Sequence, residues 1–158
     1  MIYEQLKLEN QLCFPVYAAS RLIIREYQPH LERLGITYPQ YLVLMLLWET
    51  DGRTVNEIAQ ALILNTNTVT PILKRMEAMG LIARQRSAED ERRVIVSLTP
   101  KGMQLREEAA RIPEQLVEGL VTDEMNLEDL HRLKEQLYAM IRFLTEKGGG
   151  GAGVVELE

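Results

Sequence analysis

The chain has 158 residues, 46% hydrophobic and 26% charged, which is enough for one sizeable core and ordinary for a globular protein. Its single cysteine excludes an intramolecular disulfide and a zinc site built from several thiolates. A secretory leader and an apolar run of about 18 residues are both missing, so the expected setting is cytoplasmic and reducing, with no membrane partner. The formal net charge is −5, yet residues 65–93 carry six basic side chains against four acidic ones, which leaves this stretch locally positive by two. A local basic surface matters more for phosphate contact than the total does.

In chain order, residues 16–34 read as a helix, with Leu22, Ile23, Tyr27, Leu31 and Leu34 near helical spacing, Pro29 as a kink or break, and Gly35 as its stop. "TYPQYLVLMLLWETDG" reads as a short buried helix, capped at Thr37 or Tyr38, with Pro39 near its first position. "TVNEIAQAL" opens on Thr54 with Glu57 three residues later, a capping-box pattern, and Val55, Ile58, Ala59 and Leu62 form its apolar stripe. "NTNTVTPILKRMEAMG" follows almost at once. Asn65 caps it, Val69, Ile72, Leu73 and Met76 face inward, and Gly80 ends it. Two β-branched runs, "LIARQR" and "RVIVSL", flank the polar "SAEDER" and read as a hairpin with a charged tip. Pro100 starts a long helical segment to about Val121, kinked at Pro113. A last amphipathic helix spans about Leu127 to Glu146.

Two short helices joined tightly and followed by a hairpin describe a winged helix-turn-helix, whose second helix fits the DNA major groove. Its exposed residues would be Thr66, Asn67, Thr68, Thr70, Lys74 and Arg75, and the hairpin adds Arg84 and Arg86. At the tip, Arg92 can reach a minor groove, with Asp90 holding its guanidinium in one orientation. Taken singly, each of these charges is an ordinary solvated surface residue. Their order along about 45 residues is what points to DNA.

"LKRMEAMGLIARQRSAEDERRVIVSLTPKG" resembles the recognition-helix and wing signature of the MarR family of transcription regulators, with Asp90-Glu91-Arg92 as the Asp-x-Arg wing element. "LENQLCFPVYAASR" and "LGITYPQYLVLMLLWE" are similar to the OhrR subgroup, which senses organic hydroperoxides, and the resemblance covers roughly residues 5–145. It implies a mainly α fold with a small β-hairpin: one winged-helix regulator domain over 1–147. The DNA-binding lobe (about 37–99) would lie between dimerisation helices (about 5–34 and 100–146). Beyond the resemblance, the four consecutive glycines of "GGGGAGVVELE" make 148–158 a flexible tail that cannot bury much. The resemblance also implies that Cys13 is the peroxide-reactive thiol, that Tyr27 and Tyr38 hydrogen-bond it, and that Thr66 to Arg75 and Arg92 contact operator DNA. The sequence departs from the subgroup at Asn65-Thr66-Asn67, where Asp-Ser-Gly is usual, and at Pro15.

By itself Cys13 reads either as a buried structural cysteine or as a reactive thiol. Pro15 fits the first turn of a helix, which would place Cys13 at the helix N-terminus, where partial positive charge favours a thiolate. Alternatively the helix starts earlier and Pro15 kinks it. Tyr17 is four residues on, within reach on the same face. Tyr27 lies about four turns away, a rise of about 21 Å, and could meet Cys13 only from a second subunit. The expected protein is therefore a homodimer on double-stranded operator DNA, with no cofactor or metal. An organic hydroperoxide oxidises Cys13, and a small thiol then caps it as a mixed disulfide. The alternatives are a repressor released by a phenolic or apolar ligand near Trp48 and Met45, with a structural cysteine, and a one-cysteine peroxidase. The second has the weaker support, because no resolving thiol is present.

Overall fold

The computed structural model describes residues 3–148, so the expected glycine-rich tail lies, from residue 149 onward, outside the described residues. Two 3-10 turns, Glu4–Leu6 and Leu8–Asn10, precede seven α-helices. These are α1 (Cys13–Leu34), α2 (Tyr38–Glu49), α3 (Val55–Ala61), α4 (Thr66–Ala78), α5 (Pro100–Ala109), α6 (Ile112–Leu120) and α7 (Leu127–Lys147). Three strands, β1 (Arg53–Thr54), β2 (Ile82–Arg86) and β3 (Val94–Leu98), form one antiparallel sheet in the order β1-β3-β2. This is a winged helix-turn-helix: α3 and α4 are the paired short helices, and β2 and β3 are the wing.

The caps at Thr54 and Asn65 lie where the sequence places them, and Thr99 adds a further one. Thr54 Oγ1 accepts from the Glu57 N–H at 3.2 Å, and a Glu57 carboxylate oxygen accepts from the Thr54 N–H at 2.6 Å. Asn65 Oδ1 accepts from the Thr68 N–H at 2.9 Å, and Thr99 Oγ1 from the Gly102 N–H at 3.1 Å. The helix-turn-helix corner is a Schellman motif: the Leu64 N–H donates to the Ala59 carbonyl and the Ile63 N–H to that of Gln60. This puts Ile63 at φ 55°, a left-handed conformation that glycine usually takes and that strains a β-branched residue.

Three expectations change. Pro29 does not break α1, which runs continuously through it and buries Leu31 against the core. Pro113 does not kink one long helix; it sits in the first turn of a separate one, α6, and the chain bends at Ala110 and Arg111. A proline clashes with the carbonyl four residues back, so α5 ends where that carbonyl, Ala109, would have been needed. The two-residue strand β1 was not expected. It pairs Arg53 with Val96 and Thr54 with Ile95, and two residues are too few to show alternation.

The core gathers Val43, Leu44 and Leu47 of α2, Ile58 of α3, and Val69, Leu73 and Met76 of α4, with Leu81, Ile82 and Val96 from the sheet side. In contrast, α7 buries none of its 21 residues, although Leu133, Met140, Phe143 and Leu144 are large and apolar.

The start of α5 locks onto the end of α4. Lys101 Nζ donates to the Met79 carbonyl (2.8 Å), Thr99 Oγ1 to Gly80 (2.6 Å) and the Thr99 N–H to Leu81 (3.1 Å). Trp48 Nε1 donates to the carbonyl of Gly102 at 3.0 Å. A Cβ at Gly102 would collide with the Leu81 carbonyl oxygen, which is backbone and cannot swing aside. Gly102→Ala is therefore expected to destabilise the fold by about 2–3 kcal/mol, as overpacking does, measured by urea unfolding. Unchanged stability would mean that α5 is free to move off the sheet.

Candidate DNA interface and thiol site

The first turn of α4 presents Thr66, Asn67 and Thr68 to solvent, and Lys74 and Arg75 are exposed further along the helix. Not all of the hydroxyls are free to read DNA. Thr68 Oγ1 donates to Asn65 Oδ1 at 3.0 Å, and half-buried Thr70 donates to the Thr66 carbonyl at 2.7 Å. Among the described residues, the side chains of Thr66, Asn67, Lys74, Arg75, Arg86 and Arg92 have no hydrogen-bond or ion-pair partner. That leaves them available to an external ligand.

The wing tip is built by short polar side chains. The Glu89 and Asp90 N–H groups donate to Ser87 Oγ at 3.3 and 3.4 Å, and the Arg92 N–H donates to Asp90 Oδ1 at 3.0 Å. Asp90 therefore shapes the turn through the Arg92 backbone, which corrects the expectation that it holds the Arg92 guanidinium. Arg84 is likewise committed within the chain, its guanidinium lying on Glu77 at 2.7 Å.

A notch of about 240 Å³ separates the starts of α3 and α4 from the wing. Arg92, Thr66 and Thr70 line it, together with Asn56 and Arg93, which sequence reasoning missed. Arg93 also approaches Glu57 at 3.9 Å. The position of Asn56 in the first turn of α3 was the available signal, because helix N-termini attract phosphate.

Cys13 is the first residue of α1 and is exposed, and Pro15 falls in the same first turn. The buried structural reading of Cys13 thus fails within one chain. Tyr17, expected to support the thiol, is engaged with Arg21: Nη1 donates to its hydroxyl at 3.4 Å, and the guanidinium lies 5.4 Å from the ring centre.

Tyr27 and Tyr38 meet each other, with ring centres 4.9 Å apart, and Tyr41 stands 5.9 and 6.4 Å from them. Within one chain, the length of α1 keeps this cluster away from Cys13. Burial, reinforced by the neighbouring phenols Tyr38 and Tyr41, pushes the Tyr27 phenol up to about 12. Burial raises Tyr38 and Tyr41 too, with Tyr138 of α7 adding to the effect at Tyr38. All three phenols are thus neutral hydrogen-bond donors at neutral pH. Tyr41 and Tyr138 were not singled out from the sequence, although Tyr41 lies one turn from Tyr38 on α2.

Trp48 and Met45, considered as lining for a ligand pocket, instead pack against the core. A cavity of about 470 Å³ does open between α1 and the start of α2, lined by Arg21, Arg25, Gln28, Thr37 and Tyr38 among others. Among the described residues, no group of three or more His, Cys, Asp or Glu is placed to hold a metal ion, and no helix is long and apolar enough to cross a membrane.

Comparison with known proteins places this geometry. Residues 25–109 match the family described as transcriptional regulator SarA/Rot. The organic hydroperoxide resistance transcriptional regulator of Bacillus subtilis is 49% identical over 92% of this chain and 97% of its own length. Among solved structures, reduced AbfR bound to DNA, from Staphylococcus epidermidis, is 39% identical with a TM-score of 0.73, over 91% of this chain and 99% of its own. Overoxidized AbfR bound to DNA is similar at 40% identity and a TM-score of 0.69, over 89% and 97%.

The phenol cluster makes a pH prediction. A group that holds its proton more tightly when folded adds stability below its ordinary value of 10.0, and that stability is lost as pH rises through about 12. Unfolding free energy should therefore fall over that alkaline window, and Tyr27→Phe should flatten the fall. An equal slope in the variant would place the titration elsewhere.

Proposed function

The chain belongs to the MarR family of winged-helix transcriptional regulators, in its OhrR-like branch, and on that premise we propose that it is a DNA-binding repressor that senses organic hydroperoxides by oxidation of Cys13. It works in the cytoplasm as a homodimer on double-stranded operator DNA, and it is a regulator, not an enzyme. The α4 face from Thr66 to Arg75 enters a major groove, and the wing, through Arg92, reaches the neighbouring minor groove.

One observation carries the sensing half of the reading. An exposed thiol stands alone at the N-terminus of α1, while a cluster of neutral phenols sits where the far part of that helix, through Tyr27, meets Tyr38 and Tyr41 of α2. A second chain with its α1 running the other way brings the two together. The unburied apolar face of α7 and the exposed Phe14, Val16, Leu22 and Ile24 of α1 supply the surface for that pairing.

The chemistry is two-step. The thiolate attacks the peroxide, whose O–O bond breaks to give a sulfenic acid and, after protonation, the alcohol. A small cellular thiol then displaces water from the sulfenic acid, leaving a mixed disulfide. Apolar neighbours Leu12, Phe14 and Val16 favour alkyl hydroperoxides over hydrogen peroxide. The disulfide adds a whole molecule to a packed interface, which has to shift to accommodate it. AbfR is seen on DNA both reduced and overoxidized. By analogy the bulky disulfide, more than added oxygen atoms, is the releasing form.

The test is DNA binding before and after an alkyl hydroperoxide, with and without a small thiol, on a duplex enriched from random sequence by the reduced wild type. Wild type should lose affinity by about tenfold or more when peroxide and thiol are both present, whereas Cys13→Ser should bind normally and hold on. Release of Cys13→Ser by the same treatment would remove Cys13 as the sensor and favour the repressor released by a bound ligand.

A further inference from the structure

Glu77 is a carboxylate in the lobe that faces DNA, where phosphate repulsion disfavours it. It sits in the last turn of α4, and its partner is Arg84 in β2. Oε2 accepts from Arg84 Nε at 3.0 Å and from Nη2 at 2.7 Å, while Oε1 accepts from the Arg84 backbone N–H at 3.1 Å. One carboxylate therefore binds both the guanidinium fork and the main chain of the strand. Its backbone bond uses the free edge of β2, because β3 pairs with the other edge and the sheet ends there. Both side chains are partly shielded, at 23% and 38% exposure, and the three bonds share one rigid geometry, unlike a mobile surface pair.

Arg84 lies two residues before Arg86 and eight before Arg92, so the pair grips the wing at its root. A bond there fixes the angle between the recognition helix and the wing. The two must meet adjacent grooves at the same time, and a small rotation at the root becomes a large displacement at the tip.

We propose that Glu77 is a positioning residue for DNA binding, which sets the wing against α4 through Arg84, and that Arg84 acts through Glu77 and not by contacting phosphate. The inference rests on the reading that α4 and the wing both engage DNA.

The closing experiment uses the full-length reduced protein and the duplex enriched by the wild type, with affinity followed over a range of salt. Glu77→Gln removes a negative charge near the DNA. Simple electrostatics therefore makes it bind tighter, while loss of positioning makes it bind weaker, by about tenfold. Arg84→Gln should weaken binding to a similar degree but keep the wild-type slope of log affinity against log salt, since a lost phosphate contact lowers that slope by about 0.9. The double variant should be no weaker than either single one, because both break the same link. Unchanged or tighter binding by Glu77→Gln, a reduced slope for Arg84→Gln, or additive losses would each overturn the proposal. The Arg84→Gln slope decides the matter even if Glu77→Gln folds poorly. Failure of the wild type to bind any duplex would instead overturn the DNA-binding reading itself.

Discussion

Three successive carbonyls at the end of α4, those of Met79, Gly80 and Leu81, are all spoken for by the two residues Thr99 and Lys101. These bonds join the lobe that presents the recognition helix to the helices that carry the rest of the chain. Gly102 allows the approach by having no side chain, and Trp48 seals it by donating to the Gly102 carbonyl. The wing returns through the same place, because β3 runs directly into Thr99. Helix, wing and scaffold are thus fixed to one another within a few residues. The orientation of the scaffold then sets the orientation of the DNA-reading surface.

The phenol cluster lies on the other side of this junction and is connected to it. Tyr38 is the first residue of α2, and its cap at Thr37 is held by the Gln40 side chain, which accepts from the Thr37 N–H at 2.9 Å. The amide end of that same Gln40 donates to Met79 Sδ at 3.6 Å. Gln40 is buried, and its one side chain joins the start of α2 to the residue that ends α4. In the proposed dimer, a thiol set against these phenols lies close to a side chain that also touches the end of the recognition helix.

Much of this was legible in the sequence because it is local. The caps at Thr54 and Asn65, the glycine stop after α1 and the switch from helical to alternating period at the wing are set by neighbours within four residues. What escaped depends on how turns aim backbone and side chains, which residue types alone do not state. Asp90 and Arg92 are adjacent enough to suggest an ion pair, but the tight tip directs the carboxylate to a backbone N–H. Arg84 reads as one more exposed cation until Glu77, seven residues earlier, is brought beside it by the turn at Gly80. Ile63 gave no warning of a left-handed corner, since its composition argues against one. Cys13 was legible as chemistry and not as geometry: a helix N-terminus could be read from Pro15, but within one chain the thiol is exposed and the phenols are a helix length away.

None of the 21 residues of α7 is fully buried within one chain, so in the proposed dimer the helices at the interface are stabilised by association as well as by the core. A switch placed in the core would have to unfold the lobe to be felt. One placed between subunits needs only to change how two already folded lobes are spaced. Two recognition helices must stand about 34 Å apart to enter successive major grooves, and rigid lobes convert a small shift at the seam into a mismatch at both grooves. In the proposed mechanism, rigidity at the Gly102 junction and at the Glu77–Arg84 root is part of the switch, because a compliant lobe would absorb the shift and stay on the DNA.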